Sequence, residues 1–128
     1  MRLLVDTHTF LWFVLNDPSL SSVARNAIEN PINEKLFSVA SSWEMAIKAG
    51  LGKLGLVEPV EVFLNRELAT NHFQLLDISF VHSVAVEFLP RHHKDPFDRM
   101  LAVQTQIEKL TIVSVDAIFD SYGVPRIW

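Results

Sequence analysis

Short apolar runs without polar alternation recur along this chain, and they restrict its fold more than any other feature. Leu3-Leu4-Val5, Leu36-Phe37-Ser38-Val39, Phe73 to Ile78 and Thr111 to Val115 each read as a strand. A strand with one wet face alternates apolar and polar residues, so runs of this kind belong in a sheet covered on both faces. Stretches with apolar residues at helical spacing lie between them. Strands that alternate with helices in this way describe an α/β domain with a mostly parallel sheet of four to five strands.

The helices can be placed by their caps. Thr9 to Leu15 is a short apolar helix broken near Asn16-Asp17-Pro18. Ser21 caps a second, running to about Glu29 with Val23, Ala27 and Ile28 inward, and Asn30-Pro31 stops it. Ser41-Ser42-Trp43-Glu44 opens a third, which Gly50 closes, and a looser stretch leads to a fourth from about Pro59 to Thr70. Val81 to Phe88 forms another, ended by Leu89-Pro90. Asp95 then caps a helix with Pro96 at its first position, Asp98 in its first turn, and Met100, Leu101, Val103 and Ile107 inward. A helical turn through Asp120 and Ser121 ends at Gly123, and Arg126-Ile127 can add a short edge strand. No repeat, low-complexity tract or linker divides the chain, so residues 1–128 are expected to form one domain.

Composition narrows the chemistry. The chain has no cysteine, which excludes disulfides and thiolate metal sites, and its five histidines alone make a poor zinc site. Asp6 interrupts the first apolar run before a signal peptide can develop, and Phe10 to Leu15 is far too short to span a bilayer. A cytoplasmic protein without membrane contact is the expectation. Hydrophobic residues make up 49% of the chain, enough to reserve apolar surface for a second copy or a partner. The net charge of −4 opposes simple binding to a phosphate backbone. With four of its 15 acids assigned to a cation, however, the rest would balance the 11 bases.

Four acids invite that assignment. In an open α/β sheet the C-terminal ends of the strands and the N-terminal ends of the helices share one edge, where ligands bind. Asp6 ends the first strand, Asp116 ends the fourth, and Glu44 and Asp98 each fall in the first turn of a helix. Each has a simpler explanation: Asp6 can cap the following helix, Glu44 can form a capping box with Ser41, and Asp116 can cap a turn. Separate explanations of that kind do not require the four to converge. Converging carboxylates repel unless a cation joins them, and hard oxygen ligands suit Mg²⁺ or Mn²⁺. The chemistry that follows is metal-assisted hydrolysis of a phosphodiester. No glycine-rich phosphate loop supports nucleotide-triphosphate chemistry.

Leu4-Val5-Asp6-Thr7-His8, Ser41-x-Trp43-Glu44-x-x-x-Lys48, Asp95-Pro96-Phe97-Asp98-Arg99-Met100-Leu101-Ala102 and Thr111-Ile112-Val113-Ser114-Val115-Asp116 stand in the order of a PIN-domain nuclease. Over essentially its whole length the chain resembles the VapC-like toxins of toxin–antitoxin pairs. That resemblance implies a three-layer α/β/α fold, Mg²⁺- or Mn²⁺-dependent ribonuclease activity, and an antitoxin partner whose tail covers apolar helices near the acidic rim. It maps the acidic residues onto Asp6, Glu44, Asp98 and Asp116, with Ser114 and Thr7 as supporting hydroxyls. Many relatives carry a further acid two residues after the fourth; here that position is Ile118, so one ion is expected and a second lacks a ligand. The resemblance and the apolar surplus both favour a homodimer.

The remaining candidates are basic or aromatic. Arg99, Lys48, His93 and Lys94 could position RNA phosphates at the acidic rim. Alternatively they form a solvated loop, with Arg99 bridged to a nearby acid. His8 reads as a core or a rim histidine, with the core favoured, and Trp12, Phe13, Phe37 and Trp43 as core or interface rather than as base-stacking platforms. Trp128 is expected to pack on the fold or on a dimer mate. The rival readings are an RNA-processing nuclease with no antitoxin, and a module that binds RNA or antitoxin without cleaving.

Overall fold

The computed structural model describes residues 1–128. Its five strands form one sheet in the order β3-β2-β1-β4-β5, and every neighbouring pair is parallel. The strands are β1 (Arg2–Val5), β2 (Glu34–Ser38), β3 (Gln74–Leu76), β4 (Thr111–Val113) and β5 (Arg126–Ile127). The apolar runs lie inside them: Leu3, Leu4, Val5, Phe37, Ile112 and Val113 are fully buried.

Seven helices connect these strands. They are α1 (Thr7–Val14), α2 (Ser22–Glu29), α3 (Val39–Gly50), α4 (Val60–Thr70), α5 (Phe80–Ala85), α6 (Pro96–Ile107) and α7 (Ile118–Ser121). One 3-10 turn, Val86–Phe88, follows α5. Alternate residues of β1 serve opposite faces of the sheet. Leu3 and Val5 join Phe10 of α1, Ala24 and Ile28 of α2, and Phe63 and Leu64 of α4 in one core. Leu4 joins Leu101, Ala102 and Val103 of α6 and Phe119 of α7 in the other. Helices on both faces of a parallel sheet make the three-layer α/β/α arrangement.

Winding reverses between β1 and β4, because β2 and β3 extend to one side and β4 and β5 to the other. Such a reversal leaves a crevice at the C-terminal ends of the two central strands. Asp6 follows β1 there, its amide donating to the Val113 carbonyl at 3.2 Å, and Ser114 follows β4.

Caps decide where the helices begin. Ser21 and Asp95 cap α2 and α6 as the sequence indicates, Asp95 accepting from the amides of Phe97 and Asp98. Two helices start earlier than expected. Asp6 caps α1, and Ser38, the last residue of β2, caps α3 by accepting from the Ala40 amide. Glu44 therefore sits in the second turn of α3, and no capping box with Ser41 forms. Val23 is 55% exposed because Ala24 and Ile28 take the inward stripe of α2, and Ile107 lies at the wet end of α6. No helix is long and apolar enough to cross a membrane.

Candidate metal and catalytic site

Asp6 is the fixed point of the site. It is 7% exposed, its Oδ1 accepts from the Thr9 amide at 2.8 Å, and its Oδ2 accepts from the Ser114 hydroxyl. Burial raises its pKa, while the hydrogen bonds from Ser114 and Thr9 and the nearby His8 oppose the rise. Ser114 has no exposed surface, and its Oγ also accepts from the Asp116 amide at 3.0 Å. One hydroxyl thus ties the first carboxylate to the loop that carries the fourth.

Glu44 arrives from α3. Its Oε1 accepts from the Thr7 hydroxyl at 2.6 Å, and its Oε2 pairs with Lys48 Nζ at 2.7 Å, one helical turn away. Thr7 Oγ1 also accepts from the Ser41 hydroxyl at 2.9 Å, so the start of α1 and the body of α3 are joined by a buried polar link. Asp98 stands in the first turn of α6. Desolvation pushes its pKa up to about 7, and the charges of Asp95, Asp6, Glu44 and Asp116 add to the rise. A cation among these carboxylates would offset both effects.

Asp6, Asp98 and Asp116 line a single cavity of about 370 Å³, together with His8, Trp12 and Val115. No three acid or histidine side chains close into a ready-made ligand shell. An all-oxygen donor set on an open cavity fits Mg²⁺ or Mn²⁺, ions that keep several waters and use few protein carboxylates. Asp6 and Asp98 would hold such an ion at the cavity, with Asp116 on its wall and Glu44 tied to the start of α1 by Thr7.

The other expected residues divide. His93 lies beside the acids: its Nδ1 is 2.7 Å from the Tyr122 hydroxyl, and its Nε2, which has no hydrogen-bond partner, faces Asp98 Oδ2 at 3.5 Å. Lys48 is spent on Glu44. Lys94 is exposed and lines a different groove, with Arg91, Trp43 and Phe97. Arg99 corrects both of its expected roles. It is 6% exposed and donates to the carbonyls of Val86, Leu89 and Pro90, contacting neither an acid nor solvent at the rim. Asp120 is held by Arg126 through two contacts of 2.9 Å, which lower its pKa and keep it out of the cavity.

Sequence reasoning favoured the core for His8 over the rim, and for Trp12 it found the core packing but not the cavity face. Rather than joining the core, His8 is exposed, and both residues line the acidic cavity with ring centroids 5.9 Å apart. Their i, i+4 spacing directly after Asp6 was the available signal. Phe37 is core, Phe13 packs at its edge, Trp128 packs on Trp12, and Trp43 is 58% exposed with its ring against Phe97.

Comparisons with known proteins agree with the fold. A family model for the PIN domain matches residues 3–125. No curated protein matches the chain. Among solved structures, VapBC2 from Rickettsia felis bound to a DNA fragment from their promoter aligns with a TM-score of 0.71 at 15% identity, over 98% of this chain and 97% of that one. VapBC-1 from nontypeable Haemophilus influenzae aligns at 0.68 and 13%, over 98% and 96%. FitAcB from Neisseria gonorrhoeae aligns at 0.65 and 15%, over 97% and 95%. At these identities the likeness is one of fold.

Proposed function

This chain belongs to the PIN-domain family, whose members are nucleases, and from that premise we propose that it is a divalent-metal-dependent endoribonuclease, the toxin of a toxin–antitoxin pair. The observation that carries the reading is the convergence of Asp6, Asp98 and Asp116 on one cavity at the winding reversal of the sheet, with Glu44 close enough to raise the pKa of Asp98.

A bound Mg²⁺ or Mn²⁺ supplies polarisation of the phosphate and an acidified water as nucleophile. The chain's own residues do the rest. Asp6 and Asp98 would hold the principal ion, Asp6 being oriented by Ser114 and the Thr9 amide. Asp116 stands on the solvent side of the cavity, where it can orient the attacking water. Glu44, fixed by Thr7, completes the negative cluster, and Lys48 neutralises its second oxygen. Water adds to phosphorus and gives up a proton, the bond from phosphorus to the leaving ribose oxygen breaks, and that oxygen takes up a proton in exchange. One ion suffices for this account, since Ile118 and the paired Asp120 supply no ligand for a second.

The partner part of the proposal rests on surface chemistry and on the toxin–antitoxin complexes that share the fold. Phe80, Val81, Val84 and Phe88 are exposed on α5 and the turn after it, and Trp43 and Ile47 on α3. Beside them a groove of about 640 Å³ carries Arg91 and Lys94 on an otherwise largely apolar wall. A second copy and an antitoxin tail are the partners such surfaces would take. A cytoplasmic location belongs to the same proposal.

The test is cleavage of a total-RNA pool by purified protein in Mn²⁺, with EDTA and Asp6→Asn controls and new 5′ ends mapped. Discrete ends that vanish in both controls are expected. RNA retained intact in a gel shift, by folded protein with Mn²⁺ present, would favour a binding module. Ends that survive Asp6→Asn would overturn the site assignment.

A further inference from the structure

The wall of the acidic cavity holds no lysine or arginine. A substrate whose phosphate sits there gains nothing from phosphate neutralisation by side chains, so its hold must come from elsewhere. Rings occupy the place where bases are absent. His8 and Trp12 share one face of α1, both line the cavity, and their planes are tilted by 45°. Trp128 adds a third ring 5.9 Å from Trp12 and braces it from the end of the chain. The helix that carries the pair is capped by Asp6 itself, so the rings keep a fixed register to the first carboxylate. His8 is exposed, and Trp12 is half-buried with part of its surface on the cavity.

Carboxylates awaiting a cation have no need of an aromatic wall, whereas an RNA strand presents both a phosphate and a flat π-face within one nucleotide. We propose that His8 and Trp12, braced by Trp128, form a nucleobase subsite beside the carboxylates. An unpaired base stacks on one ring with the other tilted against its edge, while its neighbouring phosphate lies by Asp6 and Asp98. This inference rests on the nuclease reading above and adds to it a contact to the base that neighbours the bound phosphate.

The test separates base from backbone. Binding of a short fluorescein-labelled oligoadenylate and of an abasic oligomer of equal length and charge is followed by anisotropy. Ca²⁺ is present to occupy the carboxylates, and gels check that the strands stay intact. The wild-type protein is expected to bind the oligoadenylate about 10-fold more tightly than the abasic strand. His8→Ala and Trp12→Leu each bring that ratio toward one with the abasic affinity kept, and Trp12→Phe preserves most of the preference. The exposed His8 keeps the test decisive even if Trp12→Leu fails to fold.

A wild-type protein with no base preference would overturn the proposal, as would a preference that survives both variants. So would a Trp12→Leu protein, still folded, that loses affinity for both strands alike. Cleavage of total RNA in Mn²⁺ without a base preference would remove the subsite and leave the nuclease reading intact. A base preference without cleavage would remove the nuclease reading and keep the stacking surface.

Discussion

The guanidinium of Arg99 reaches the carbonyls of Val86, Leu89 and Pro90 from the first turn of α6. Those carbonyls belong to the turn after α5, where Val86 already accepts from the Leu89 amide and Pro90 is exposed, so it is the buried Leu89 carbonyl that depends most on Arg99. Arg99→Met is expected to lower unfolding free energy by about 3 kcal/mol, read in urea, because charged hydrogen bonds are lost and the Leu89 carbonyl is orphaned. Arg99→Lys recovers only part of that, since an ammonium lacks the planar fork. Ser114 acts on the site instead of the fold. Ser114→Ala should weaken Mn²⁺ binding about 10-fold, by calorimetry, with little change in melting temperature, because the hydroxyl orients Asp6. The carboxylates were legible in the sequence because chemistry restricts them to few roles. Arg99 and His8 were not: an arginine suits a rim or a buried carbonyl cluster equally, and only packing distinguishes a core histidine from one on a cavity wall.

Helix α6 shows how an element carries the chemistry. Its cap Asp95 and first-turn Asp98 were both readable from Asp-Pro-x-Asp, because a proline at the first helical position fixes the start. Asp98 is then held near like charges, and its folded pKa of about 7 exceeds its ordinary 3.8. The folded state therefore binds the extra proton, and stability of the metal-free protein falls as pH rises from about 4 through 7. Melting temperatures measured in EDTA at pH 5 and pH 8 should show this group's loss at the higher pH, and millimolar Mn²⁺ at pH 8 should reverse it. Asp95→Asn keeps a good cap and removes one of the charges, so the Asp98 transition should move to lower pH in an NMR titration. An unmoved transition would remove Asp95 from the causes and leave desolvation with the other three acids. The start of α3 was misread for a local reason. Three serines lie within five residues there, and the choice of Ser38 over Ser41 depends on where β2 ends.

At the scale of the whole molecule, the strand pattern gave the α/β class and the parallel sheet, while the order β3-β2-β1-β4-β5 came only with the structure. Apolar runs say that a strand is covered on both faces and are silent on which strands flank it. The order matters because it puts the ends of β1 and β4 side by side, and with them Asp6, Ser114 and Asp116. The apolar surface left on α3 and α5 should be satisfied by association. Sedimentation is expected to give a dimer that Phe80→Asp shifts toward monomer, and a monomeric wild type at micromolar concentration would refute that part of the account.

The central claim, that acids from four separate elements form one cation site, is tested most directly by titrating Mn²⁺ into metal-free protein. One saturable ion per chain is expected, lost in Asp6→Asn and in Asp98→Asn while both variants stay folded. No saturable binding at millimolar Mn²⁺, or binding that both variants retain, would contradict it.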